Sequence, residues 1–176
     1  MPHFKLNHKG GVITSPILKQ NTMQISLDNH EQEIVRTLAL ARHNSNIDRG
    51  SRSYKMGNGD DLLINLEGIG GEFAFCKLKN IYPDMTIDHP IPFDCYLNGH
   101  GFIDVKTTNK TNGMLLVGTW KYRSVPAYYA LMVGEFPNYE FKGYFPGSDL
   151  FNDGNLVDLG HGPTYGISQD RLKMEL

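Results

Sequence analysis

The apolar positions of this chain change period twice, and each change predicts an element. Leu62, Leu66, Ile69, Phe73 and Cys76 recur at steps of four, three, four and three. That is the amphipathic period of a helix. Asp60 or Asp61 can cap its start, and Pro83 closes the segment. An earlier helix is predicted over roughly 30–43, capped by Asp28 or Asn29, with Ile34, Val35, Leu38 and Ala41 on one side. The stretch 23–28, MQISLD, alternates weakly and reads as a strand. Residues 1–22 read as a loosely held arm, and 44–60 as a polar, basic loop.

Beyond residue 92 the period drops to two. FDCYL (93–97) and FIDVKTT (102–108) form a predicted hairpin around Asn98-Gly99. MLLVGTW (114–120), YYALMVG (128–134) and YEFKGYF (139–145) follow as strands. SDLF (148–151) suits a short helix, GHGPTY a loop, and GISQDRLKM a short last strand or turn. The order is helix, helix, then mostly strands. It predicts one α/β or α+β domain over residues 1–176, with no internal repeat. Gly68, Gly70 and Gly71 inside the second helix each cost up to about 1 kcal/mol against alanine. Close approach of another backbone is the natural reason to keep them; a kink is the simpler one.

Composition narrows the class. The chain has 176 residues, 40% hydrophobic and 20% charged, with a net charge of −2. It is long enough for a real core. It has no apolar run that would span a membrane and no secretory-type apolar leader, so a cytoplasmic location is expected, in whatever host makes it. Two cysteines, Cys76 and Cys95, fit buried free thiols better than a disulfide framework. The balance of charge argues against coating nucleic acid by bulk attraction. It leaves a local basic run, Arg36, Arg42, Arg49, Arg52 and Lys55, interrupted only by Asp48. That run is a candidate DNA contact or simply a solvated helix end. Trp120, Lys121, Tyr122 and Arg123 mix aromatic and basic side chains in a way that suits stacking on nucleotides, or protects a strand edge.

Candidate chemistry centres on IDVKTT. Side chains at i and i+2 of a strand share a face, so Asp104 and Lys106 project together. They are either an ordinary ion pair or half of a metal-dependent hydrolytic site. Register decides whether Asp94 joins them. A two-residue turn puts Asp94 opposite Val105, on the wrong face; a three-residue loop over 98–100 puts it opposite Asp104. Glu72 lies at the edge of the apolar stripe of the second helix, where a solvent-boundary glutamate is the commoner reading. No histidine pair has helical metal spacing. His100 and His161 could reach a phosphate, but solvated histidines are the more frequent case.

With Glu72 on a helix, Asp94 on a strand, and Asp104 and Lys106 in IDVKTT, the chain resembles the PD-(D/E)XK nuclease superfamily, particularly its small phage and bacterial members. The similarity covers roughly residues 60–135. It implies a restriction-endonuclease-like core, a mixed central β-sheet flanked by helices. It also implies a Mg2+ (or Mn2+) dependent DNA endonuclease. Asp94 and Asp104 would be ligands, Glu72 an auxiliary ligand, and Lys106 the group that positions or activates water. Arg42, Arg49, Arg52, Lys55 and Lys121 would contact DNA, and a homodimer is compatible. The sequence departs from the pattern in having Phe93 rather than proline before Asp94. Pro83-Asp84 supplies a literal match elsewhere, so Asp84 and Asp88 are fallbacks. The alternatives are a catalytically quiet protein of the same fold that binds DNA or a host protein, and an interaction protein whose charges are merely exposed.

Overall fold

The computed structural model describes residues 23–50, 60–88 and 92–176. The proposed arm over 1–22 and part of the basic loop, including Arg52 and Lys55, lie outside the described residues. The first strand, β1 (Met23–Ser26), leads into α1 (Asn29–Asp48) through a capping box. Asp28 Oδ1 accepts from the backbone N–H groups of His30 and Glu31, and Glu31 Oε2 accepts from the Asp28 N–H at 2.7 Å. These bonds satisfy donors that a helix start leaves unpaired. Helix α1 runs five residues past the predicted end. Tertiary contacts override the weak propensity of its last turn: Ser45 Oγ donates to Asp88 Oδ1 at 2.9 Å. Its buried stripe is Val35, Leu38, Ala39 and Arg42, whereas Ile34 is 42% exposed. The predicted stripe was therefore rotated by part of a turn, because a buried arginine carries no hydrophobic signal.

Helix α2 (Asp61–Lys79) starts at Asp60 and ends where Asn80 turns left-handed, at φ 52°, ahead of Pro83. It lies on one face of a five-stranded sheet, and α1 packs against it. The sheet comprises β1, β2 (Cys95–Leu97), β3 (Gly101–Thr108), β5 (Tyr128–Glu135) and β6 (Asn138–Pro146), in the order β1-β6-β5-β3-β2. Among the described strands only the β3–β5 pair is parallel. The chain crosses between them through β4 (Leu115–Gly118) and a 3-10 turn, Thr119–Arg123. The aromatic-basic run therefore sits on a turn. Beyond it, α3 (Gly147–Leu150) is a single turn, and β7 (Leu156–Asp158) and β8 (Pro163–Ile167) join β4 in a second sheet, ordered β4-β8-β7. Part of the predicted GHGPTY loop is thus strand.

The architecture is a mixed α+β fold. Ile103, Val105, Ala130, Met132 and Phe141 face the helices. Tyr129, Leu131, Val133 and Phe145 face the second sheet, meeting Leu115, Val117, Leu150 and Ile167. The long helices therefore cover one face of the central sheet and a smaller sheet covers the other. Among the described residues no helix is long and apolar enough to cross a membrane.

The helix glycines have different reasons. A Cβ at Gly71 would overlap the Thr107 side chain, and one at Gly70 would overlap the Tyr139 hydroxyl. The Tyr139 hydroxyl donates to the Glu67 carbonyl at 3.2 Å, and Glu67 Oε2 accepts the Phe136 N–H at 2.9 Å. These two glycines let α2 settle onto β3 and β6. Gly68 has open space at its Cβ position. Gly71→Ala is expected to destabilise the fold by about 1–3 kcal/mol through overpacking. Gly68→Ala is expected to be neutral or to stabilise by up to about 1 kcal/mol. Urea denaturation of both variants measures the contrast, and equal effects would refute this account of the helix–sheet contact.

Candidate functional site

The β2–β3 hairpin closes through the three residues 98–100. Leu97 pairs with Gly101, Tyr96 with Phe102 and Cys95 with Ile103. Gly99 and Gly101 have φ of +80° and +94°, and the His100 N–H donates to the Leu97 carbonyl. Extending that register brings Asp94 to the level of Asp104. Regular pairing stops at Cys95, and the Asp94 N–H donates to the Ile103 carbonyl at 3.0 Å. The Asp94 carboxylate then turns to the edge of β3, where Oδ2 accepts the Val105 N–H at 2.6 Å.

Asp104 is 1% exposed. It pairs with Tyr129 in the parallel register, so it points to the face covered by the second sheet. Burying a carboxylate is expensive without counter-ions, and Asp104 has two. Lys106 Nζ pairs with Oδ1, and Lys121 Nζ donates to Oδ2 at 3.0 Å. Lys121 also donates to the Pro92 carbonyl at 3.2 Å, tying its turn to the segment that enters the hairpin. Burial works to lower the pKa of Lys106. The charges of Asp104, Asp94 and Glu72 outweigh it and hold the amine above its ordinary value. Burial, aided by the Asp104 charge, pushes up the pKa of the Tyr129 phenol beneath.

Glu72 arrives from the helix side. Arg42 NH1 donates to its Oε2 at 3.3 Å, and Arg42 also donates to the carbonyls of Thr86 (2.9 Å) and Asp84 (3.0 Å). The sequence offers Arg42 as a DNA contact; the structure directs its guanidinium inward from α1. Arg49 remains at the rim, beside Asp88 at 3.4 Å. Of the fallback acids, Asp84 forms a local turn, accepting from the Thr86 N–H and hydroxyl at 2.8 and 3.0 Å. Asp88 holds Ser45 and Arg49. Asp94 is the acid that shares the hairpin with Asp104.

Asp104 and Glu72 come from opposite faces of the sheet, yet both open into one cleft of about 400 Å³, together with Asp94, Lys106, Lys121 and Arg42. The cleft follows from β2 being only three residues long: among the described residues no strand pairs with the second half of β3 on that side. Its charged lining among the described residues is balanced. Glu72, Asp88, Asp94 and Asp104 face Arg42, Arg49, Lys106 and Lys121. His100 and His161 are exposed on loops away from this lining. Among the described residues no group of three or more His, Cys, Asp or Glu side chains is placed to hold a metal ion. Magnesium commonly takes one or two carboxylates and keeps several waters. Asp94 and Asp104 carry hard oxygens of the kind such an ion takes; here the two Asp104 oxygens are held by Lys106 and Lys121, and Asp94 Oδ2 by the Val105 N–H.

The roles of Lys121 and Arg42 were not visible as pairings in the sequence. Lys121 lies seventeen residues beyond Asp104, on the 3-10 turn of the crossover, and no periodic pattern links them.

The fold and cleft together define a mixed α+β protein with a carboxylate–lysine site at a strand edge. The chain belongs to a family of unknown function (DUF5843), whose model matches residues 17–143. No curated protein and no solved structure matches the chain.

Arg42→Met removes the guanidinium from part-buried Glu72 and takes donors from two carbonyls. It is expected to cost about 3–5 kcal/mol. Arg49→Met breaks a solvent-exposed pair and is expected to cost no more than about 1 kcal/mol. Chemical denaturation of the two variants checks the difference.

Proposed function

We propose that this protein is a magnesium-dependent deoxyribonuclease acting at the Asp94–Asp104–Lys106 cleft. The observation that carries the reading is the three-residue hairpin loop. It brings Asp94 level with Asp104 and Lys106 at the uncovered edge of β3, where Glu72 enters the same cleft. Asp94 and Asp104 would hold the cation, with Glu72 as an auxiliary group kept in place by Arg42. A bound divalent ion supplies polarisation of the phosphate and a water of lowered pKa. Lys106 directs its ammonium at a phosphate oxygen or the attacking water, adding fixed positive charge where negative charge develops. Arg49, at the cleft rim, suits a backbone phosphate, and Arg52 and Lys55 continue that basic run in the sequence.

A second reading has one specific observation in its favour. Both Asp104 oxygens already hold ammonium groups, an arrangement that suits a catalytically quiet protein that binds DNA.

Nicking of supercoiled plasmid is the test. Cleavage should require Mg2+ or Mn2+, stop with EDTA, and fall at least about a hundredfold in Asp104→Asn and in Lys106→Met. Circular dichroism would confirm that both variants fold. DNA binding that weakens steeply with salt, without any metal-dependent cleavage, would favour the second reading instead.

A further inference from the structure

We infer that Lys121 is a positioning residue of the cleft, an internal counter-ion that must yield its hold on Asp104 when a divalent cation binds. The inference rests on the hydrolase reading and names how that site is kept in its metal-free state.

One ammonium suffices to neutralise one carboxylate, and Lys106, two residues along the same strand, already does so. The second ammonium comes from the Thr119–Arg123 turn and bridges Asp104 to the Pro92 carbonyl at 3.0 and 3.2 Å. It therefore ties together the two approaches to the hairpin, one leading to Asp94 and the other carrying Asp104. Among the described residues the charged lining of the cleft is balanced with Lys121 in place. A dication entering that balanced cleft would add two uncompensated positive charges beside Lys121. Like charges a few ångströms apart repel strongly at the edge of a protein interior. Of the two amines on Asp104, Lys106 is held on a strand paired along its length with β5. Lys121 stands on a short turn between Trp120 and Tyr122, both about half exposed, so it is the one placed to withdraw.

The probe is Mn2+ alone, with free ion read by electron paramagnetic resonance, on the full chain without nucleic acid. Lys121→Met removes the charge and keeps most of the stem, and is expected to bind Mn2+ about tenfold or more tightly than the unaltered protein. Lys121→Arg keeps the charge and is expected to match the unaltered protein. Equal or weaker binding by Lys121→Met, with binding still abolished in Asp104→Asn, would overturn the counter-ion role and leave the metal site standing. Absence of saturable Mn2+ binding in both the unaltered protein and Lys121→Met would overturn both. A measurement on the unaltered protein guards against a variant that does not fold. In a Mg2+ titration, the Lys121 Nζ NMR signal, assigned by its loss in Lys121→Arg, should shift saturably. A signal that stays fixed while Mg2+ binds would refute the inference.

Discussion

The fold is organised around a charge that should not be comfortable where it is. Asp104 sits in the middle of β3, almost wholly removed from water, between the central sheet and the smaller one. A carboxylate in that position needs compensating charge and hydrogen bonds. It obtains them from its own strand through Lys106 and from the crossover through Lys121. The crossover therefore does more than return the chain to the parallel strand. Its 3-10 turn delivers an ammonium to a carboxylate placed earlier in the sequence.

The cleft follows from the strand lengths. A fully paired sheet would separate its two faces, and groups from opposite faces could not share a solvent space. Here β2 ends after three residues, and β3 runs on for eight. Glu72, brought down from the helix layer, and Asp104, turned toward the other layer, reach the same opening around that uncovered edge. The close seating of α2 depends on Gly70 and Gly71, where a side chain would strike Tyr139 and Thr107. These two glycines thus help set how closely α2, which carries Glu72, approaches the sheet.

Local patterns carried most of the architecture. The four-three period of α2, the Asp28 cap and the alternation of β3, β5 and β6 were all legible, because each is an interaction between near neighbours in sequence. The loop length that brings Asp94 level with Asp104 was also legible, as a condition on the hairpin. Long-range choices were not. The parallel pairing of β3 with β5, the separate sheet of β4, β7 and β8, and the extra turn of α1 depend on contacts between distant segments. Arg42 illustrates the limit. Its charge marked it for solvent or DNA, while Glu72, 30 residues downstream, and the carbonyls of Asp84 and Thr86, 42 and 44 residues downstream, bring it inside.

The Asp94 carboxylate has a further consequence, for behaviour in concentrated solution. The uncovered half of β3 offers backbone groups to any strand that approaches it, the usual route to edge-to-edge aggregation. Val105 already gives its N–H to Asp94, so a foreign strand would have to displace a charged acceptor to begin pairing there. The residue that faces the cleft thus occupies a backbone donor that an incoming strand would need.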